Sequence, residues 1–171
     1  MEKWDLYDKN RVKSDIAVSR GEEIPTGLYR VVIHVAIINS EEKMLIQQRQ
    51  PFKHSWPNMW DISVGGHVIS GETSSQGAQR EVKEELGIDV DFTDIRPSFT
   101  VNFETGFDDY YIIGKDIELS ELTLQESEVQ AVKFADKDEI LSMIDSGIFI
   151  AYHKSLIAMI FDMKDKSGAH S

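Results

Sequence analysis

The chain has 171 residues, 41% hydrophobic and 28% charged, which suits a single globular domain that buries its core without cross-links. It has no cysteine, which excludes disulfides, thiolate metal sites and a cysteine nucleophile. Its 18 basic and 30 acidic side chains give a net charge of −12, so neither a nucleic-acid polymer nor an anionic membrane is expected as a partner.

The N-terminus, MEKWDLYDKN, lacks a basic-then-apolar targeting pattern. The longest apolar run, Val31–Ile38, is interrupted by His34 and is too short to span a bilayer. The cytoplasm is therefore the expected location. Residues 1–27 read as short apolar pieces among polar turns, an N-terminal extension packed on the main domain. Leu28–Asn39 is rich in β-branched residues and reads as a buried strand, with His34 a satisfied core histidine. Met44–Arg49 reads as its hairpin partner, and Gln50–Asn58, with two prolines, as a loop. Trp60–Val64 is a short strand ended by Gly65-Gly66.

Thr73-Ser-Ser-Gln76 fits a capping box, so a helix is expected from there to about Leu86, with Gly87 ending it in a left-handed turn. Strand-like segments come next at Val90–Phe103, Tyr110–Ile113 and Val129–Phe134. Asp136–Asp145 and Phe149–Met163 read as helices, and Lys164–Ser171 as a flexible tail. This order predicts an α+β fold or a mixed sandwich, with helices covering a sheet, in one domain over residues 28–163.

The stretch Gly66–Ile88, GHVISGETSSQGAQREVKEELGI, concentrates acid on one helix. At about 100° per residue, Ala78, Val82 and Leu86 share a face that can bury against the sheet. Glu81, Glu84 and Glu85 fall on an adjacent arc about 100° wide. Crowded carboxylates repel one another, and a hard divalent cation reverses that repulsion. Gly77 lies in the same arc, where a missing side chain would leave room beside metals. The same spacing also fits a solvated helix face.

The segment resembles the Nudix box: Gly, five residues, Glu, seven residues, Arg-Glu-aliphatic-any-Glu-Glu-any-Gly-aliphatic. Gly66, Glu72, Arg80, Glu81, Val82, Glu84, Glu85, Gly87 and Ile88 supply every element. The resemblance implies a Nudix fold, an α+β arrangement with a mixed β-sheet sandwiched between α-helices, and catalysis by Glu81, Glu84, Glu85 and Arg80. It implies Mg2+ or Mn2+ held by the three glutamates and the Gly66 carbonyl, with Glu72 and Arg80 orienting the carboxylates. The implied reaction is hydrolysis of a diphosphate linkage in a nucleoside diphosphate derivative or another small organic diphosphate. In this family a general base often lies on a later loop; Glu128 is the first candidate and Glu126 the second. A homodimer is common among relatives, although no interface is legible.

Upstream, Met44–His67 is similar to isopentenyl diphosphate isomerases, through its Gln-Arg pair, Trp-Pro-x-x-Trp element and Gly-His. The isomerase cysteine position is Gly65 here, Tyr29 or Arg30 stands where an earlier histidine ligand is expected, and only Asp108 and Asp109 lie near the place of two later glutamates. Hydrolysis is therefore preferred over isomerisation and over a binding domain without catalysis. Arg49, Trp60, His67, Phe103 and Glu126 are the substrate-binding candidates. Trp56, Trp60, Phe99 and Phe103 could stack on a base, or belong to the core.

Overall fold

The structure, a computed structural model, describes residues 1–166 and 168–170. An N-terminal hairpin, β1 (Lys3–Tyr7) and β2 (Lys13–Ser19), stands apart from a seven-stranded mixed sheet. The sheet contains β3 (Arg30–Ile38), β4 (Met44–Arg49), β5 (Trp60–Asp61), β6 (Val64–His67), β7 (Phe99–Phe103), β8 (Gly106–Gly114) and β9 (Val129–Ala135). The three α-helices are, in chain order, α1 (Ser74–Leu86), α2 (Lys137–Asp145) and α3 (Lys154–Asp162). The core sheet order is β5-β4-β3-β8-β7, with β6 added on β3 and β9 on β4; only β3 and β8 run parallel. Among the described residues, no helix is long and apolar enough to cross a membrane.

β3 shows how sequence alternation builds the layers. Val31, Ile33, Val35 and Ile37 point to the face covered by Ala78, Val82 and Leu86 of α1. Ala36 and Ile38 point the other way, against Ile140 and Met143 of α2 and Ile157 and Ile160 of α3. Each fully buried aliphatic side chain contributes about 1.5–3 kcal/mol, so β3 anchors both layers. On the α2/α3 face, the remaining positions Arg30, Val32 and His34 line an open cavity instead of core.

That cavity exists because β3 and β4 do not form the expected regular hairpin. They share one register pair, Ile38 with Met44, and then diverge. β4 pairs along its length with β9, while β6 takes the place beside β3. Ser63 sits in the divergence: its hydroxyl accepts from the Ile37 amide at 2.8 Å and donates to the Leu45 carbonyl. The expected Trp60–Val64 strand is accordingly broken at Ile62-Ser63. Gly65 and Gly66 lie inside β6 and pair with His34 and Ile33.

Other boundaries also move. Val90–Pro97 is irregular, and strand pairing begins at Phe99. α3 starts at Lys154, because Phe149 is held in a bridge to Trp60. The first 27 residues form a hairpin whose Trp4, Leu6 and Val18 make their own small core. Tyr7 exchanges backbone hydrogen bonds with Tyr29 at 2.8 and 2.9 Å. Buried Asp5 accepts from Ser70 Oγ at 2.7 Å, the Gly71 amide at 2.8 Å and Lys13 Nζ at 2.6 Å. Of the expected tail, Ser167 and Ser171 lie outside the described residues, while Lys164 donates to the Asn39 carbonyl at 2.8 Å.

Removing the Ser63 hydroxyl orphans the buried Ile37 amide. Ser63→Ala is expected to cost about 1–3 kcal/mol, seen as a lower urea midpoint with unchanged denaturant dependence. Asp5 gives a pH test. Burial raises its pKa, but the bonds from Lys13, Gly71 and Ser70 outweigh that and hold it below 3.8. A depressed pKa stabilises above the unfolded value of about 3.9. The stability advantage over Asp5→Asn should therefore be constant above about pH 5 and decline progressively in more acid solution.

Candidate active site

The capping box positions α1 as read from the sequence. Thr73 Oγ1 accepts from the Gln76 amide at 3.3 Å, and Gln76 Oε1 accepts from the Thr73 amide at 2.8 Å. At the other end Gly87 adopts φ 75°, and its amide donates to the Lys83 carbonyl. The loop from Thr123 to Gln125 then covers the end of the helix, with the Thr123 amide on the Leu86 carbonyl and the Gln125 amide on the Glu85 carbonyl. This loop brings Gln125 and Glu128 to the cavity.

Arg80 organises the acidic residues. Its Nε and Nη2 donate to the two carboxylate oxygens of Glu72, at 2.8 and 3.1 Å, and Nη2 also donates to the His67 carbonyl at 2.9 Å. Its Nη1 lies 3.0 Å from Glu81 Oε1 and 3.1 Å from Glu84 Oε2. Burial disfavours the Arg80 charge, but Glu72 and Glu81 outweigh it and raise its pKa.

The three carboxylates of the box differ sharply in environment. Glu84 is half-exposed. Glu81 is mostly buried, and burial pushes its carboxyl up to about 7 despite the adjacent Arg80 guanidinium. Glu85 is only 4% exposed and accepts from Gln47 Nε2 at 2.9 Å. Burial first, and then Glu81, raise its pKa well above the ordinary carboxylate range. Gly66 makes this crowding possible: a Cβ there would lie 2.2 Å from the Glu81 carboxylate. Gly77 has a different cause from the one expected, since a Cβ there would meet Val68 Cγ2 at 3.1 Å; it permits close packing of α1 on the segment that follows β6.

Glu81, Glu84, Glu85 and Gly66 line one wall of a cavity of about 590 Å3. Arg49, His67, Phe103 and Glu128 also line it, as does Trp56. Glu128 is ion-paired with Lys53. Two expected site residues are displaced. Trp60 packs with the α2/α3 core and under Lys133, because its strand faces that layer. Glu126 turns to solvent and offers only its carbonyl, to Gln50 Nε2 at 2.8 Å. Phe99 stacks on Tyr110 at 4.8 Å outside the cavity lining.

Sequence reading missed much of the opposite wall. His34 faces the cavity instead of the core: it stacks on Tyr110 at 4.6 Å, and its Nε2 lies 3.3 Å from Asp108, while buried Nδ1 has no partner. Tyr152 donates to Asp61 at 2.7 Å. Arg30 lines the cavity, as do Glu2 and Arg20 from the hairpin. The signal for Arg30 and His34 was present, as polar residues within an apolar strand. No comparable signal marks Glu2 or Arg20.

The donors fit a hard cation in chemistry: three carboxylates and a backbone carbonyl, all oxygen, around a backbone cradle that a side chain would fill. Among the described residues, no three acidic or histidine side chains are already gathered at ligand spacing, and Arg80 Nη1 contacts both Glu81 and Glu84. A cation would have to take over those two contacts.

Comparisons with known proteins agree with this geometry. The NUDIX domain model matches residues 28–153. A Nudix hydrolase of Listeria innocua is 45% identical over 170 residues, 99% of each chain. A crystal structure from Deinococcus radiodurans superposes with TM-score 0.74 over 93% of this chain and 97% of that one, at 23% identity. An isopentenyl-diphosphate Delta-isomerase of Salmonella heidelberg matches only in part, 34% identical over 65 residues, 37% of this chain and 36% of that protein. The chain belongs to the Nudix hydrolase family, and its enzyme class is that of a pyrophosphohydrolase.

The Gly66 contact is directly testable. The clash in Gly66→Ala falls on the flexible end of Glu81, so the variant should fold with a loss under about 2 kcal/mol. Its crystal structure should show Glu81 moved off β6 and away from Arg80.

Proposed function

We propose that this enzyme hydrolyses a diphosphate linkage in a nucleoside diphosphate derivative or another small organic diphosphate, with Mg2+ or Mn2+ as cofactor. The observation that carries this reading is the pair of buried carboxylates, Glu81 and Glu85, on a cavity wall with Glu84 and the Gly66 carbonyl beside them. Burying like charges this closely is costly unless a positive charge compensates them. Glu81, Glu84, Glu85 and Gly66 would hold the metal, Glu81 and Glu84 exchanging their Arg80 contacts for it. When bound, the metal supplies Lewis acidity toward phosphate oxygens and lowers the pKa of water.

The other residues position and transfer. Arg80, fixed by Glu72 through two hydrogen bonds, orients the glutamates. Glu128 faces the cavity and is the candidate general base, with Lys53 holding its carboxylate in place. Arg49, His67 and Phe103 contact the organic diphosphate. The catalytic unit is residues 28–163, with 1–27 packed on it. A homodimer and a cytoplasmic location complete the reading, and sedimentation of the purified chain checks the first.

The test uses the purified protein with Mg2+ or Mn2+ and a panel of nucleotide sugars, dinucleotides, nucleoside triphosphates and prenyl diphosphates. Coupled phosphate release should identify a substrate, and Glu84→Gln and Glu85→Gln should each lose about 10²-fold or more in kcat. Glu128→Gln should lose about 10²-fold with little change in KM. Metal binding without turnover on any substrate would instead indicate a binding domain. Interconversion of prenyl diphosphate isomers would indicate an isomerase.

A further inference from the structure

Arg30 is a cation in the cavity without a carboxylate partner. Among the described residues it forms no ion pair, although the other cavity cations Arg20, Arg49, Lys53 and Arg80 each lie within 4.0 Å of an acid. Asp108, whose charge acts on Arg30, lies against His34 instead of pairing with that guanidinium. One Arg30 donor is used: Nη1 donates to Thr105 Oγ1 at 2.9 Å. Its Nε is buried and meets no acceptor. A guanidinium carries five donors, so most of its hydrogen-bonding capacity is unspent.

The planar group is nevertheless held firmly. Its centre lies 5.3 Å from the Trp4 ring and 5.2 Å from the Phe103 ring. Trp4 in turn stacks on His67 at 4.4 Å and 10°. Both aromatic faces attract the cation without satisfying its N–H groups. The arrangement therefore fixes a cation's orientation and leaves its donors for another molecule. A surface arginine that served only solubility would not need two rings and a buried Nε.

We propose that Arg30, braced by Trp4 and Phe103, is an anion-binding residue that takes a phosphoryl group of the substrate, so that the N-terminal hairpin helps to set specificity. This deepens the hydrolase reading and rests on it for the identity of the cavity. The phosphoryl group is either one of the diphosphate chain or a separate phosphomonoester on the organic part. Arginine suits both through planar, charge-assisted hydrogen bonds.

The binding test avoids catalysis. Inorganic diphosphate is titrated calorimetrically into the full chain in excess chelator, with thermal melts to confirm folding of each variant. Arg30→Gln should weaken binding about tenfold or more, the effect expected for losing a charge-assisted contact. Arg30→Lys should recover only part of the affinity, because an ammonium cannot present a planar fork. Trp4→Phe, which keeps an aromatic face over Arg30, should keep most of the binding. Full recovery of binding in Arg30→Lys, or diphosphate binding unchanged in Arg30→Gln with no larger loss for a 2′-phosphorylated nucleotide than for its unphosphorylated partner, would overturn the proposal. Because no metal is present, this outcome is independent of whether hydrolysis is found. Once a substrate is known, Arg30→Gln should raise KM more than it lowers kcat. Pairs of nucleotides with and without a 2′-phosphate separate the two sources: a larger loss for the 2′-phosphorylated member identifies the phosphomonoester, and an equal loss identifies the diphosphate chain.

Discussion

The contact of α1 with the sheet sets the position of every carboxylate in the site. Ala78, Val82 and Leu86 have no measurable exposure and pack on Val31, Ile33 and Val35. Their burial supplies several kcal/mol that does not depend on any charge. Two glycines let the surfaces meet: Gly77 against Val68, and Gly66 beneath Glu81. With the helix pinned in this way, Glu81 and Glu85 cannot swing into water as they would on a free helix. The apolar layer thus holds the acidic residues in an environment where their ionised forms are disfavoured. Arg80 then divides its donors between a fixed partner, Glu72, and two exchangeable ones, Glu81 and Glu84.

The second constraint is the divergence of β3 from β4. A regular hairpin would have closed the sheet over this region and left no space for a ligand. Ser63 makes the divergence tolerable by satisfying backbone groups that a neighbouring strand would otherwise take. The resulting cavity has acids from α1 on one side, and Arg30 and His34 of β3 on another. Charges lining a partly buried cavity act more strongly than on an open surface. A chain of net charge −12 can in this way present cations locally to an anionic ligand.

Legibility in the sequence tracked locality. The box was readable because its residues lie within 23 consecutive positions and because Thr73, Gln76 and Gly87 mark the ends of the helix chemically. The sandwich of sheet and helices was readable from apolar periodicity. What failed depended on partners distant in sequence. The β3–β4 hairpin was overruled by β9 and β6, which no local pattern announces. Gly65-Gly66 read as a strand end, yet both lie inside β6, and a side chain at position 66 would displace Glu81, which arrives from α1. His34 read as core because the run around it is apolar, and the cavity beneath that half of β3 was not visible. Trp60 and Glu126 have residue types suited to a site, but the facing of β5 and the turn before β9 directs them elsewhere.

The same distinction separates what the family match covers from what shapes the cavity. Residues 28–153 match the NUDIX domain and include all of the box, whereas Glu2, Trp4 and Arg20 lie before that span. The hairpin is tied to the domain by the Tyr7–Tyr29 backbone pair, the Asp5 contacts to Ser70 and Gly71, the ion pair of Arg11 with buried Asp109 and the stack of Trp4 on His67. Arg11 and Ser74 of α1 share the Asp109 carboxylate, whereas the side chains nearer the cavity, Glu2, Trp4 and Arg20, hydrogen-bond among the described residues only to one another and can change without disturbing α1. The carboxylates of α1 and the cavity-facing side chains of the opposite wall are therefore separately adjustable parts. The helix carries its carboxylates at fixed spacing, while the part of the opposite wall over Arg30 consists of two aromatic rings, Trp4 and Phe103. On that reasoning, substrate preference among proteins that share this box should track the residues at positions 4, 30 and 103 more closely than those between 72 and 85.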